Sequence, residues 1–293
     1  MSLPKTLTSR PPSVADVIVS FPTPHVLLIT LNRPAQLNAI PSSQHAALEA
    51  LYSWYDAEPS LRCAVLTGAG RAFCAGADLK EWDHRNSTTS GREERGSEPR
   101  PGGPAALGDG RMVGGFGGLS NRAGKKPVIA AINGLCLGGG MEMAINCDLV
   151  VAAANALLGL PEVTRGVIAL AGALPRLVRT VGRQRAAEMA LVGGMHSAEQ
   201  MQEWGLVNRV VDGADAAVRE AMRLAEAIAA NSPDAVIVSR EGLRLGWEGI
   251  GPELATELVE RGLYGRIDAA PNMREGVRSF VEKRKPVWTD SKL

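Results

Sequence analysis

Two glutamates and a run of glycines are the residues in this 293-residue chain whose types and spacing could do chemistry. Glu142 interrupts the apolar stretch "NGLCLGGGMEMAINCDL", and Glu162 stands twenty positions later in "LLGLPEVTRGV", again in apolar surroundings and after a proline. An unpaired buried carboxylate is costly, and glycine costs roughly 0.5–1 kcal/mol against alanine in a regular element. Both costs fall in one place, where "PVIAAI" reads as a strand, "NGLCLGGG" as a turn and "GMEMAINCD" as a helix start. Gly138 to Gly140 let a ligand approach main-chain N–H groups, and the positive end of the helix dipole points at the same spot. Small residues at a second strand-to-helix turn, Ala75-Gly76-Ala77 in "LTGAGRAFCAGADLKEW", offer another exposed N–H. Two carboxylates with two N–H donors form an acid/base constellation with an oxyanion hole. Plainer readings stand beside this one. Asp78 fits the N-cap of a short helix over "LKEWDH", and an acid such as Glu142 is ordinary in a first helical turn.

Other chemistries fit poorly. Gly68-Ala69-Gly70 follows a strand, but the sixth place of a dinucleotide fingerprint holds Phe73, not Gly or Ala. No G-K-[ST] follows either glycine-rich turn, so a phosphate loop is excluded. The four cysteines, at 63, 74, 136 and 147, form no C-x-x-C pair and read as small core residues of a reducing compartment. His25, His45, His84 and His196 are scattered, so no metal site is expected. The net charge of +1 gives no basis for a broad nucleic-acid or membrane surface. No apolar run approaches the ~18–20 residues of a membrane span.

The elements that must position these residues follow from periodicity. "VADVIVSF" and "HVLLITLN" alternate and are β-branched, as strands do; "SSQHAALEALYSWYDAE" has the spacing of an amphipathic helix. "RCAVLTG", "PVIAAING" and "CDLVVAAA" are short apolar runs of the buried-strand kind. Strands separated by helical stretches predict an α/β core with partly parallel sheets over residues 17–212. Residues 1–16 read as a flexible tail without a signal-peptide core, although Lys5 and Arg10 without an acid before Asp16 leave a weak transit-peptide reading. Residues 84–123 are rich in Gly, Ser, Pro and Arg and read as a mobile loop, either a disordered insertion or a lid beside a site. From "LPRLVRTVGRQRAAEMALVGG" onward the pattern turns helical, with a short strand at "LVNRVV" and a helical part over 213–288. Ser232 and Pro233 mark one helix start as N-cap and first helical residue.

The ordered set "LNRPAQLNAI", "GAGRAFCAGADLKEW", "KPVIAAINGLCLGGGMEMAINCDLVVA", "LPEVTRGVIALAG", "AEQMQEWGLVNRVV" and "GVRSFVEKRKPVW" resembles the enoyl-CoA hydratase/isomerase (crotonase) family over roughly residues 17–288. The resemblance implies a ββα-superhelix core with a helical C-terminal part used in trimerisation, and hence a trimer or a hexamer of two trimers. It implies a coenzyme A thioester as substrate and no separate cofactor, since coenzyme A is part of the substrate. By motif, the oxyanion donors are the N–H groups of Ala77 and Gly139, and the acids are Glu142 and Glu162. Coenzyme A would lie along Ala75, Gly76, Ala77, Asp78 and Leu79, with Arg71 and Lys80 as basic contacts. Phe280 and Lys283 match a C-terminal contact to coenzyme A, often supplied by a neighbouring subunit. The family pattern gives Glu142 to the water and Glu162 to the proton at Cα, a division the sequence does not fix. One stretch departs from the family: Ala169-Leu170-Ala171-Gly172-Ala173 stands where many hydratases have "PGAGG", which puts a short straight-chain substrate in doubt.

The reaction expected is reversible addition of water to a 2-enoyl-CoA, in fatty-acid or related acyl-CoA metabolism. A double-bond isomerase of the same family is the alternative, since isomerases can work with one carboxylate. A non-catalytic RNA-binding relative is disfavoured by the near-neutral charge and the paired glutamates. A serine protease is weaker still, for no serine–histidine pair occupies the motif positions. The chain ends Ser291-Lys292-Leu293, a peroxisomal import address, within a tail over 289–293. A receptor must grip that end, so the tripeptide is expected to project beyond Trp288, with "FVEKRKPVW" near the coenzyme A site.

Overall fold

The continuous apolar runs become the central strands of a six-stranded sheet. The structure, a computed structural model, describes residues 4, 6–79, 81 and 114–293. Lys80 and the 84–113 part of the glycine- and serine-rich loop lie outside the described residues. In chain order the strands are β1 (Val17–Thr23), β2 (Val26–Leu31), β3 (Cys63–Gly68), β4 (Ala72–Cys74), β5 (Val128–Ile132), β6 (Leu135–Leu137), β7 (Leu149–Ala153), β8 (Leu157–Gly159), β9 (Met195–Ser197) and β10 (Arg209–Val211). The principal helices are α1 (Ser42–Ala57), α2 (Gly139–Ile145), α3 (Ala173–Val181), α4 (Ala214–Ala229), α5 (Pro233–Trp247), α6 (Pro252–Val259) and α7 (Pro271–Val281).

The large sheet runs β1-β2-β3-β5-β7-β10 and is parallel except for the β1–β2 hairpin. Every residue of β3 and β5 is buried, because parallel strands covered on both faces have no polar side. One face packs on α4, whose Ala217, Ala221, Ala225 and Ala229 recur every fourth residue and meet Val65, Ile129 and Val151. Alanine at that spacing lets the helix lie close on the sheet. The other face builds the main core with α1, whose Leu48, Leu51, Tyr52 and Tyr55 form an inward stripe at helical spacing.

A second sheet, order β4-β6-β8-β9, is made of three-residue strands. Its first three strands are parallel, and each follows a long strand of the large sheet: β4 after β3, β6 after β5, β8 after β7. The two sheets therefore advance together, one turn of chain adding a strand to each. This is the α/β superhelix expected from the sequence, followed by helices α4 to α7.

Residues 114–123, which the sequence places in the loop, form a turn that is largely buried through Ser120, with a 3-10 helix over Phe116–Gly118 packed against α1 and α2. The N-terminal residues Thr8 and Ser9 bond to Glu58 and Trp54 of the α1 region. The carboxy-terminal residues do not project. Trp288 Nε1 donates to Ala230 O at 2.8 Å, Ser291 Oγ to Asp234 Oδ1 at 2.5 Å, and Lys125 Nζ to the Leu293 main-chain oxygen at 2.6 Å. Among the described residues no helix is long and apolar enough to cross a membrane.

Candidate active site

The small sheet positions the site. Its parallel strands β4, β6 and β8 end on the same edge, and just beyond each end stands a residue singled out in the sequence: Ala77 after β4, Gly139 after β6 and Glu162 after β8. Neighbouring strands lie ~4.8 Å apart, so three such ends converge within the reach of one small ligand. A crevice at the carboxyl ends of parallel strands is where α/β sheets commonly bind their ligands.

The backbone there is set by close approach. Gly76 has φ of +94°, and a side chain on it would meet Gly139 N and Leu137 O at 3.1 Å. A Cβ on Gly140 would stand 2.2 Å from Cys74 O. Glycine at 76 and 140 is thus the condition for β4 to lie against the start of α2. The main-chain N–H groups of Ala77 and Gly139 thus belong to one joint, where Gly139 N closes the space that a Gly76 side chain would need. Their neighbours on either side are bonded: Ala75 N to Leu37 O, Asp78 N to Ile40 O, Gly138 N to Gly159 O and Glu142 N to Gly138 O. The Ala77 and Gly139 N–H groups meet no acceptor among the described residues. Ala77 is half-buried and Gly139 buried, and unpaired main-chain donors so placed are rare and suited to holding a polarised oxygen.

Glu142 lies in the first turn of α2 and is 5% exposed. Its Oε1 accepts from Ala171 N at 2.7 Å and Ala173 N at 3.4 Å, at the start of α3. Burial pushes its carboxyl up to about 7, against those two N–H bonds, and the nearby charge of Glu162 adds to the rise. Glu162 sits in the 3-10 helix Pro161–Arg165. Its Oε1 lies 3.3 Å from where a Gly138 side chain would begin, its Oε2 is buried without a hydrogen-bond partner, and burial raises its carboxyl too. Two carboxyl groups with raised proton affinity therefore stand at this joint, Glu142 three residues after Gly139 in α2 and Glu162 beside Gly138. A carboxyl whose proton affinity is raised towards neutrality, as that of Glu142 is, can serve as an acid or as a base.

Ala75, Gly76, Ala77, Asp78 and Leu79 form one continuous turn, with Ala75 and Ala77 half-buried and Leu79 47% exposed. The Asp78 carboxylate pairs with Arg33 Nη2 at 3.3 Å. Arg71 is exposed at the turn before β4. Phe280 and Lys283 are not brought to the site: Phe280 is 85% exposed on α7, and no hydrogen bond, ion pair or ring contact joins either residue to the site among the described residues.

The structure adds residues that spacing did not mark. Ser120, fully buried, accepts from Phe116 N at 2.7 Å and donates to Ala171 O at 2.9 Å. Arg176, 9% exposed, donates to Ser120 O at 2.9 Å and to Asn121 Oδ1 at 2.8 Å. Together they brace the segment whose N–H groups hold Glu142. Of the departing stretch, Ala169 and Ala171 are buried at this brace while Leu170 is 58% exposed. No sequence signal pairs Ser120 with Ala171, because the contact spans 51 residues and is made through a main-chain oxygen.

Comparison with known proteins shows the family. Family models described as enoyl-CoA hydratase/isomerase match residues 26–98 and 120–291. A mevalonyl-coenzyme A hydratase of Beauveria bassiana is 58% identical over 288 residues, covering 98% of this chain and 100% of that protein. A mevalonyl-coenzyme A hydratase of Aspergillus fumigatus is 50% identical, covering 98% and 99%. The crystal structure of an enoyl-CoA hydratase from Mycobacterium tuberculosis superposes with a TM-score of 0.78 at 33% identity, covering 94% of this chain and 99% of that one.

Proposed function

The chain belongs to the enoyl-CoA hydratase/isomerase family and is a hydratase of an enoyl-CoA thioester, and from that premise we propose that its substrate pair is mevalonyl-CoA and the branched enoyl-CoA formed from it by loss of water. The observation that carries the substrate is the full-length identity of 58% to a protein named for that reaction. The altered stretch Ala169–Ala173, whose buried alanines replace part of a glycine-rich run, supports a pocket unlike that for a short straight chain.

In this reading the thioester oxygen lies between the N–H groups of Ala77 and Gly139. In the dehydrating direction Glu162, ionised, takes a proton from C2. The electron pair left behind delocalises onto the thioester oxygen, where the two N–H donors stabilise it. It then forms the C2–C3 double bond as the C–O bond at C3 breaks, and Glu142, protonated, gives its proton to the departing hydroxyl, which leaves as water. Hydration is the same path reversed, with Glu142 activating the water. Each oxyanion donor of this kind typically lowers the barrier by ~2.7–4 kcal/mol. The clamp of Ala171 and Ala173 on Glu142 supports giving it the oxygen side, because a fixed carboxyl suits a small mobile nucleophile. No cofactor takes part beyond the coenzyme A of the substrate.

The assembly is a homotrimer, or a hexamer of two trimers, in which Phe280 and Lys283 reach the coenzyme A of a neighbouring copy. Exposed apolar residues on two faces support this: Ile168, Leu191 and Val192 near the site, and Val277, Phe280 and Val281 on α7. The enzyme is imported into peroxisomes through Ser291-Lys292-Leu293, whose receptor must first peel the tail from Asp234 and Lys125. Mevalonyl-CoA, incubated with the purified protein, should yield the conjugated enoyl thioester, seen as its ultraviolet band and by mass. Hydration of crotonyl-CoA with no turnover of mevalonyl-CoA would remove this substrate.

A further inference from the structure

Phe116 is half-buried, and its ring lies flat on Gly139. A Cβ built on Gly139 would stand 2.6 Å from three carbons of that ring. An aromatic face thus covers the Cα of the residue whose N–H is the second oxyanion donor. The ring is also held on both sides. On one side of it, Phe116 N donates to Ser120 Oγ at 2.7 Å. On the other, Gly117 N donates to His45 Nδ1 at 2.9 Å. The His45 ring meets the Phe116 ring edge to face, with centroids 4.7 Å apart and planes at 65°. His45 itself is 8% exposed on α1, and burial lowers it to about 4, so that the neutral ring keeps Nδ1 as an acceptor at physiological pH. The turn cannot retreat. A Cβ on Gly117 would stand 2.4 Å from Met143 Sδ of α2, and one on Gly118 would stand 2.4 Å from Glu49 N of α1.

We propose that Phe116 is a specificity-determining residue, an immobile apolar wall of the acyl site that favours compact, branched acyl groups over extended straight chains, and that His45 and Ser120 are the positioning residues that hold it. The proposal rests on the placing of the thioester oxygen at Gly139 made above. A substituent on C3 of the acyl group lies within a few bonds of that oxygen, where a flat apolar ring gives a methyl branch surface to bury. A long chain needs length in place of breadth, and a wall pinned by two hydrogen bonds and by packing on α1 and α2 does not yield to it. Two buried side chains, from α1 and from the turn itself, spend their hydrogen bonds on the N–H groups flanking one ring. That arrangement has a purpose if the position of the ring matters to what binds.

The test compares wild type, Phe116→Ala, Ser120→Ala, His45→Leu and His45→Asn as purified full-length proteins. The Asn amide oxygen falls near the place of Nδ1 and can still accept from Gly117. kcat and KM are measured for 3-methylcrotonyl-CoA and for 2-octenoyl-CoA. Phe116→Ala should raise the ratio of kcat/KM for octenoyl over methylcrotonyl by about tenfold or more, the scale of one or two methylene groups in an apolar pocket. His45→Leu and Ser120→Ala should move the ratio the same way, and His45→Asn should stay nearer wild type. A general structural defect would lower both thioesters together and leave the ratio fixed. An unchanged ratio in Phe116→Ala overturns the proposal, whatever the absolute rates. A ratio that moves in Phe116→Ala but not in the soluble variants of His45 and Ser120 overturns their positioning role. Because the ratio is taken between two simple enoyl thioesters, failure of wild type to act on mevalonyl-CoA would count against that substrate alone.

Discussion

At the scale of single residues, the proposed mechanism makes the two glutamates one acid/base unit, and this sets what their variants should do. Glu142→Gln and Glu162→Gln should each lower kcat by about 10²-fold or more. The double variant should be little worse than the worse single one, because groups acting as a unit are not additive. Steady-state kinetics check this, and wild-type turnover in either single variant removes that residue from the mechanism. The pair also has a pH signature. Because the charge of Glu162 helps to raise Glu142, Glu162→Gln should move the Glu142 titration to lower pH, measurable by carbon NMR of labelled glutamate. Stability carries the same information without any substrate. The Glu142 carboxyl is raised from 4.5 in the ordinary case to about 7 in the fold, so its contribution is fully present below 4.5 and is lost as pH rises through 7. Glu142→Gln should therefore gain stability relative to wild type as pH rises across that window, read as the difference in urea midpoints. An equal difference at both ends would mean that the carboxyl is not raised.

At the scale of elements, the start of α2 is the critical joint, since it carries Gly139 and Glu142 and packs on β4. Gly140→Ala places a methyl carbon 2.2 Å from Cys74 O, a main-chain atom that cannot swing away. Overpacking of this kind typically costs ~1–3 kcal/mol. It should also separate the two oxyanion donors, so activity should fall further than stability. Thermal melts with kcat/KM measured on the same preparation check this. Activity that falls only in proportion to the folded fraction would show that the spacing of the donors is not critical. On the far side of the large sheet, α4 rests on its alanine stripe. Ala221→Leu should cost a similar ~1–3 kcal/mol by lifting the helix from the sheet, with kcat of the remaining folded enzyme unchanged, because α4 touches nothing in the site.

At the scale of the whole molecule, the exposed apolar residues and the docked tail carry the expectations. Light scattering after size exclusion should give three or six times the chain mass. Val277→Asp with Val281→Asp should reduce that mass, because both side chains, 65% and 73% exposed in the single chain, would be buried between copies. A monomer in the wild type would count against the trimer. Deleting Ser291 to Leu293 removes the bond of Ser291 to Asp234 and that of Lys125 to Leu293. The melting temperature should fall by a few degrees for a loss of about 1 kcal/mol, turnover should persist, and peroxisomal import of a fluorescent fusion should be lost. Import of the truncated fusion would overturn the address reading.

The sequence by itself determined the large sheet, the family and the order of its motifs. Long apolar runs such as "CAVLTG" and "VIAAI" read as strands because a strand covered on both faces needs no polar side, and α1 is legible in the helical spacing of Leu48, Leu51, Tyr52 and Tyr55. The small sheet was not legible, since three residues show no period, and yet its strand ends are what bring Ala77, Gly139 and Glu162 to one edge. Nor was the turn at 114–123: its glycines read as a loop, whereas they are there to fit between α1 and α2. His45 looked like one scattered histidine, and Ser120 like part of a linker, because their partners lie 72 and 51 residues away on main-chain atoms that carry no residue type. Side-chain chemistry is written in the sequence. Which main-chain N–H groups stay unpaired, which ring covers a glycine, and where the tail comes to rest depend on contacts between distant segments, and only the tertiary structure decided those.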